Sequence, residues 1–235
     1  MKHIILKTTL SILLLSGCGT IIEKENRIVI DATLSNEDKL TLDSIGFDYE
    51  MLNKIRAYTD SAIFTLNTSF NFYNDSLKEV ETTVKEHQGF SFKEGSGVRA
   101  REIVFGVKDE LKKMGYLIYI SEVNFGYDSD KISVIKSTDQ FDILRIEETD
   151  GINYGLENKD VIAQLQKWNK RFPFQIIGAE LDWVEAVFIE VPGNMKGFAK
   201  EIYDYCPDVV DQGTGSIEAL EDEMANSGLL YLWWD

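Results

Sequence analysis

Asp208 and Asp211, with Gln212 beside them in a loop that runs into Gly213 and Gly215, are the oxygen donors here that a hard cation would select. Asp150, Asn153 and the terminal Asp235 could add ligands for Ca²⁺ or Mg²⁺, and Tyr154 adjoins them as a binding candidate. A metal held there would make the chain a hydrolase-like enzyme working through Asp208, Asp211, Asp150 and Asp235. The spacing matches no EF-hand loop. The preferred alternative gives Asp208 and Gln212 a local task, satisfying orphan backbone groups at two helix ends.

Other chemistry is weaker. Cys206 stands between Asp204 and Asp208, whose charges oppose a thiolate, and its spacing from Ile202 places it on an apolar helical stripe. It reads as a packed core thiol. Beyond His3, the chain has His87 alone as a histidine base, in a segment read as a solvent-facing helix, so Ser-His-Asp and Cys-His catalysis are rejected. Gly213-Thr214-Gly215-Ser216 precedes a helix but lacks the phosphate-loop lysine, and Asp211 and Glu218 oppose an anion. Tyr154, Trp168, Trp183 and Trp233 could bind carbohydrate or peptide, although most fall on core stripes. No catalytic residue, resident metal or cofactor is assigned.

The amino terminus gives an address. Lys2, His3 and Lys7 flank the apolar run Ile4–Leu15, too short for a permanent membrane span, and Leu15-Ser16-Gly17-Cys18 resembles a bacterial lipobox. Residues 1–17 read as a signal peptide, Cys18 as the lipidated residue and 18–26 as a tether. Two or three acyl chains, at about 0.8 kcal/mol per buried methylene, anchor stably. Gly19 is not the aspartate associated with inner-membrane retention, which favours the outer membrane.

Cys206-Pro207-Asp208-Val209-Val210-Asp211-Gln212-Gly213, a following helix and a final Trp233-Trp234-Asp235 resemble the hallmark of DUF4253, a bacterial family of unknown function. Thr149-Asp150-Gly151-Ile152-Asn153-Tyr154, Ile177-Gly178-Ala179 and Asp182-Trp183-Val184-Glu185 also resemble its lipoprotein-like members. The resemblance covers roughly Val98 to Asp235. It implies no activity.

Composition narrows the partners. The formal net charge is −16, and removing residues 1–17 takes away Lys2 and Lys7 but no acid, giving −18. Such a surface repels nucleic acid and anionic lipid heads, suits solubility, and could favour a basic partner. The 44% hydrophobic content excludes a disordered chain. With Cys18 acylated, Cys206 has no partner for an intramolecular disulfide, and structural zinc has too few Cys and His ligands.

Patterning predicts an α+β fold, an antiparallel or mixed sheet with helices packed on it. Residues 27–97 form an amino-terminal α+β region. Its expected elements are a strand Arg27–Thr33, a short strand Lys39–Asp43, a helix from Asp48 to Tyr58 and an alternating strand Ile63–Tyr73. A capping box at Ser76–Glu79 opens a helix to His87, and Gly89–Gly97 is a linker. Residues 98–235 read as a duplicated helix-strand-strand-helix unit, Arg99 to Glu147 and Lys159 to Tyr205. A helix from Ser216 and an apolar strand Leu229–Trp234 close the chain, the strand expected inside the sheet and covered on both faces. The function expected is a lipid-anchored envelope protein that binds a protein partner, in one version an immunity-type protein.

Overall fold

The computed structural model describes residues 34–73, 79–95 and 97–235. The lipobox, Cys18, the tether, the strand Arg27–Thr33 and the Ser76–Lys78 part of the capping box lie outside them. The helices are α1 (Asn36–Ile45), α2 (Tyr49–Arg56), α3 (Val98–Lys113), α4 (Phe141–Glu147), α5 (Asn158–Arg171), α6 (Met195–Tyr205) and α7 (Ile217–Ser227). The strands are β1 (Phe64–Tyr73), β2 (Glu79–Glu94), β3 (Tyr116–Glu122), β4 (Asp130–Lys136), β5 (Phe174–Ala179), β6 (Trp183–Phe188) and β7 (Leu229–Trp233). They form one sheet in the order β1-β2-β4-β3-β5-β6-β7, antiparallel except where β3 meets β5. The fold is α+β with a mixed sheet, as the patterning predicts.

Alternation sorts the sheet into two faces. Tyr116, Ile118, Ile120, Phe90, Phe92, Ile132 and Val134 pack with α1, α2 and α3. Leu117, Tyr119, Ile176, Val184, Ala186, Leu230 and Leu232 pack with α4, α5, α6 and α7. Because both faces are covered, the central β3 is buried along nearly its whole length. Helix-strand-strand-helix occurs twice, as α3-β3-β4-α4 and α5-β5-β6-α6, meeting at the parallel β3–β5 junction. The first helices lie on opposite faces, whereas α4 and α6 share one, so the spatial correspondence ends before the fourth element.

Four expectations change. Residues 39–43 belong to α1, because Ser35 and Asp38 form a reciprocal capping box, at 2.9 and 3.0 Å, that starts a helix there. The helix expected up to His87 is instead β2, a 16-residue strand. Its β-branched Thr82, Thr83 and Val84 suit a pleated ladder, and pairing with β1 outweighs the local capping pattern. The expected linker is the other half of the same strand: Gly89 to Glu94 pair with Ile135 to Asp130. Phe90 and Phe92 are fully buried there, and a Cβ on Gly89 would lie 2.6 Å from the Val134 carbonyl oxygen. The sheet therefore runs without interruption across residue 97. Finally, β7 is not inside the sheet that the described residues form. Among the described residues it forms an edge, paired with β6 alone, and is fully covered on one face only: Leu230 and Leu232 are buried, Leu229 and Trp233 pack partly against the opposite core, and Tyr231 is 39% exposed.

Candidate functional site

The expected acidic site comes together only in part. Pro207 ends α6, and residues Val209–Thr214 follow as a wide, π-type turn with Asp208 at its entrance. A short 3₁₀ turn, Ile152–Tyr154, faces it. The Tyr154 hydroxyl donates to Asp208 Oδ1 at 2.6 Å, the Gln212 amide donates to the same oxygen at 3.0 Å, and the Asp235 main-chain N–H donates to Oδ2 at 2.9 Å. Asp208 is 4% exposed. Burial pushes its pKa up, but the three donors outweigh that and hold it below the ordinary value. The same contact raises the Tyr154 hydroxyl to about 12, so it remains a donor.

Asp208, Gln212, Tyr154 and Asp235 thus fasten the carboxyl terminus to the turn. Asp208 serves the end of β7, not a helix end, and makes no side-chain cap bond. Trp234 completes the fastening. Its N–H donates to the Asp182 carbonyl at 2.9 Å, and its indole lies so close to Gly151 that a Cβ there would sit 3.0 Å away.

The remaining acidic candidates turn elsewhere. Asp211 is exposed and accepts from the Tyr203 hydroxyl at 3.2 Å, Asp150 accepts from the Ile152 N–H at 3.1 Å, and Asn153 is exposed. Among the described residues no three His, Cys, Asp or Glu side chains are placed to hold a metal ion.

Cys206 is fully buried and its thiol donates to the Trp233 carbonyl at 3.0 Å. Burial, with the charge of Asp208, pushes its pKa up to about 12, so a thiolate does not form near neutrality. His87 lies on β2, not on a helix, with Nε2 2.8 Å from the Thr68 hydroxyl. Ser216 caps α7 by accepting from the Ala219 N–H, so one of the helix N-terminal amides that an anion would need is already engaged. Trp168 is a core residue at 0% exposure.

Trp183 and Trp233 have a different setting. They line a cleft of about 500 Å³ over the β6–β7 end of the sheet, between α3, the β3–β4 loop, the π-type turn and α7. Gly178 makes the position of Trp183 feasible, since a Cβ there would lie 2.8 Å from its ring. Tyr231 stacks on Trp183 with ring centres 6.1 Å apart. Its hydroxyl is raised to about 12, first by burial and then by Glu185 and Asp182, and stays protonated.

Beneath these rings Glu185, 3% exposed, takes a forked contact from Arg101 at 3.1–3.3 Å. At the mouth stands Phe125, 82% exposed and held at φ +49°, a left-handed conformation unusual for a bulky side chain. Strain of that kind concentrates at functional sites.

Sequence reasoning named Trp183 and Trp233 as binding candidates, named Glu185 only within a family motif, and missed Arg101, Phe125 and Tyr231. The available signal was the odd-numbered set Leu229, Tyr231 and Trp233, which shares one face of an alternating strand.

Neither the curated proteins nor the solved structures contain a match to this chain. Residues 131–235, from β4 through the terminal latch and all of α7 and β7, match the model of the family described as Domain of unknown function (DUF4253).

Proposed function

We propose that this chain is a binding protein of the bacterial cell envelope and that the cleft over β6 and β7 is its binding site. The observation that carries the reading is the cleft itself, where Trp183, Tyr231, Trp233 and the strained Phe125 form an aromatic wall over the Arg101–Glu185 pair. Few convergent polar groups within an apolar concavity is the ordinary composition of a ligand site. The acidic surface favours a basic protein partner, of which an immunity-type interaction is one version. The lipobox supports attachment through acylated Cys18, more readily at the outer membrane than the inner. Metal-dependent hydrolysis through Asp208 and Asp211 has no such support, since Asp208 is committed to the terminal latch and Asp211 to Tyr203.

Aromatic fragments that raise the melting temperature of the Cys18→Ser chain should lose that effect in Tyr231→Ser and Phe125→Ser and keep it in Asp211→Asn. Equal shifts in all variants would place binding elsewhere. Fractionation tests the anchor: Cys18→Ser should leave the membrane fraction, and a variant still bound there would refute lipidation at this residue.

A further inference from the structure

We infer that the free edge of β7 pairs with an extended basic peptide, which adds to the sheet as an eighth strand within the cleft. The inference rests on the cleft being a binding site and names what it binds and how. Among the described residues β7 is an edge strand, and its register fixes where each main-chain group points. Val184 lies opposite Leu232 and Ala186 opposite Leu230. At the two ends the Phe188 N–H donates to the Gly228 carbonyl and the Trp234 N–H donates to the Asp182 carbonyl, both at 2.9 Å. The even-numbered residues of β7 therefore turn their main chains toward β6, and Leu229, Tyr231 and Trp233 turn theirs away.

Those three are the β7 residues that line the cleft. Two of their outward groups are used: the Leu229 N–H donates to Ser227 Oγ at 3.1 Å, and the Trp233 carbonyl accepts from Cys206. The Leu229 carbonyl, both Tyr231 groups and the Trp233 N–H make no hydrogen bond within the described residues. An antiparallel strand reaches the first three: one of its residues exchanges two bonds with Tyr231 and the residue two places on donates to the Leu229 carbonyl, while Cys206 closes the Trp233 end of the edge.

Charge selects among extended segments. From Asp211 to Asp235 the chain carries acids at 211, 218, 221, 222, 223 and 235 and no Lys, Arg or His, while Glu201 and Asp204 upstream are paired with Arg171 and Lys200. Glu223 is exposed on the cleft wall. Arg101, the cationic lining residue, is already engaged by Glu185. Lysine or arginine side chains on the added strand complement this wall, while its alternate apolar side chains meet Trp183, Trp233 and Phe125.

The test uses the Cys18→Ser chain and a capped peptide of alternating lysine and valine, six residues long. Tyr231→Val removes the ring, whereas Tyr231→Pro removes the ring and the outward N–H without touching the bonds to β6. The peptide should bind wild type at low salt and bind Tyr231→Pro about tenfold more weakly than Tyr231→Val, which lacks the same ring, as one missing hydrogen bond requires. In wild type it should slow hydrogen exchange at the Tyr231 amide, a readout that stands even if the proline variant fails to fold. Unchanged exchange there, or proline binding as tightly as valine, would overturn strand addition and leave fragment binding in the cleft intact. Equal affinity for a glutamate–valine peptide, or no binding of the lysine–valine peptide, would overturn it as well.

Discussion

Glu147 shows how one side chain can set the pH response of this fold. It is 5% exposed, at the end of α4, and accepts from the buried Tyr119 hydroxyl at 2.6 Å. Burial raises its pKa from 4.5 to about 7, opposed by the Tyr119 bond and Lys131 and aided by Glu180. The folded state then holds a proton that the unfolded chain releases between those values. Stability from this group is complete below about 4.5 and declines as pH rises through 7. Glu147→Gln keeps an acceptor for Tyr119 and has no proton to lose. It should match wild type at pH 4.5 and exceed it at pH 8 by on the order of 2 kcal/mol, measured by urea unfolding at both values. A variant that tracks wild type at both would contradict this. Sequence gave no hint of Glu147, because burial of one acid in a helix end depends on the strand beneath it. Cys206 was legible for the converse reason: helical spacing from Ile202 already placed it on the apolar stripe.

At the scale of elements, the π-type turn and β7 act as a pair. Sequence pointed to Asp208, Gln212, Tyr154 and Asp235 together but assigned them ligand or helix-end duties, since Asp208's third donor is a main-chain N–H that no side-chain pattern reveals. Asp208→Asn places an amide donor against one of the three donors. It should cost about 1–3 kcal/mol and lower the melting temperature by roughly 2–10 °C. Because the pKa of Asp208 is depressed, its contribution exists above the ordinary carboxylate value and is lost as pH falls through the lowered one. The difference between variant and wild type should therefore shrink in acid, and a difference that grows in acid would contradict the latch. The amino-terminal half was harder to read. Ser76–Glu79 obeys a local helix rule, yet β2 is fixed by partners on both sides, β1 and β4, and pairing between distant strands leaves no local mark. The helices and hairpins after Val98 were legible because their apolar periods and turn residues agree with the final packing.

At the scale of the molecule, one sheet joins the two regions that composition separated near residue 97, and the family match starts inside β4, leaving the central β3 outside it. The cleft gathers residues from α3, the β3–β4 loop, β6, the π-type turn, α7 and β7. That dispersion hid it, since the hallmark at the π-type turn, α7 and β7 carries no sign of the α3, β3–β4 loop and β6 residues that complete the cleft. It also makes the four tryptophans a direct test, because Trp183 and Trp233 line the cleft while Trp168 and Trp234 pack in the core on the other face. Indole N–H signals in a ¹⁵N-labelled sample, titrated with a fragment that raises the melting temperature, separate the two pairs. The account predicts that the Trp183 and Trp233 signals shift with saturation while those of Trp168 and Trp234 stay in place. Shifts confined to Trp168 and Trp234, or binding that moves none of the four, would contradict it.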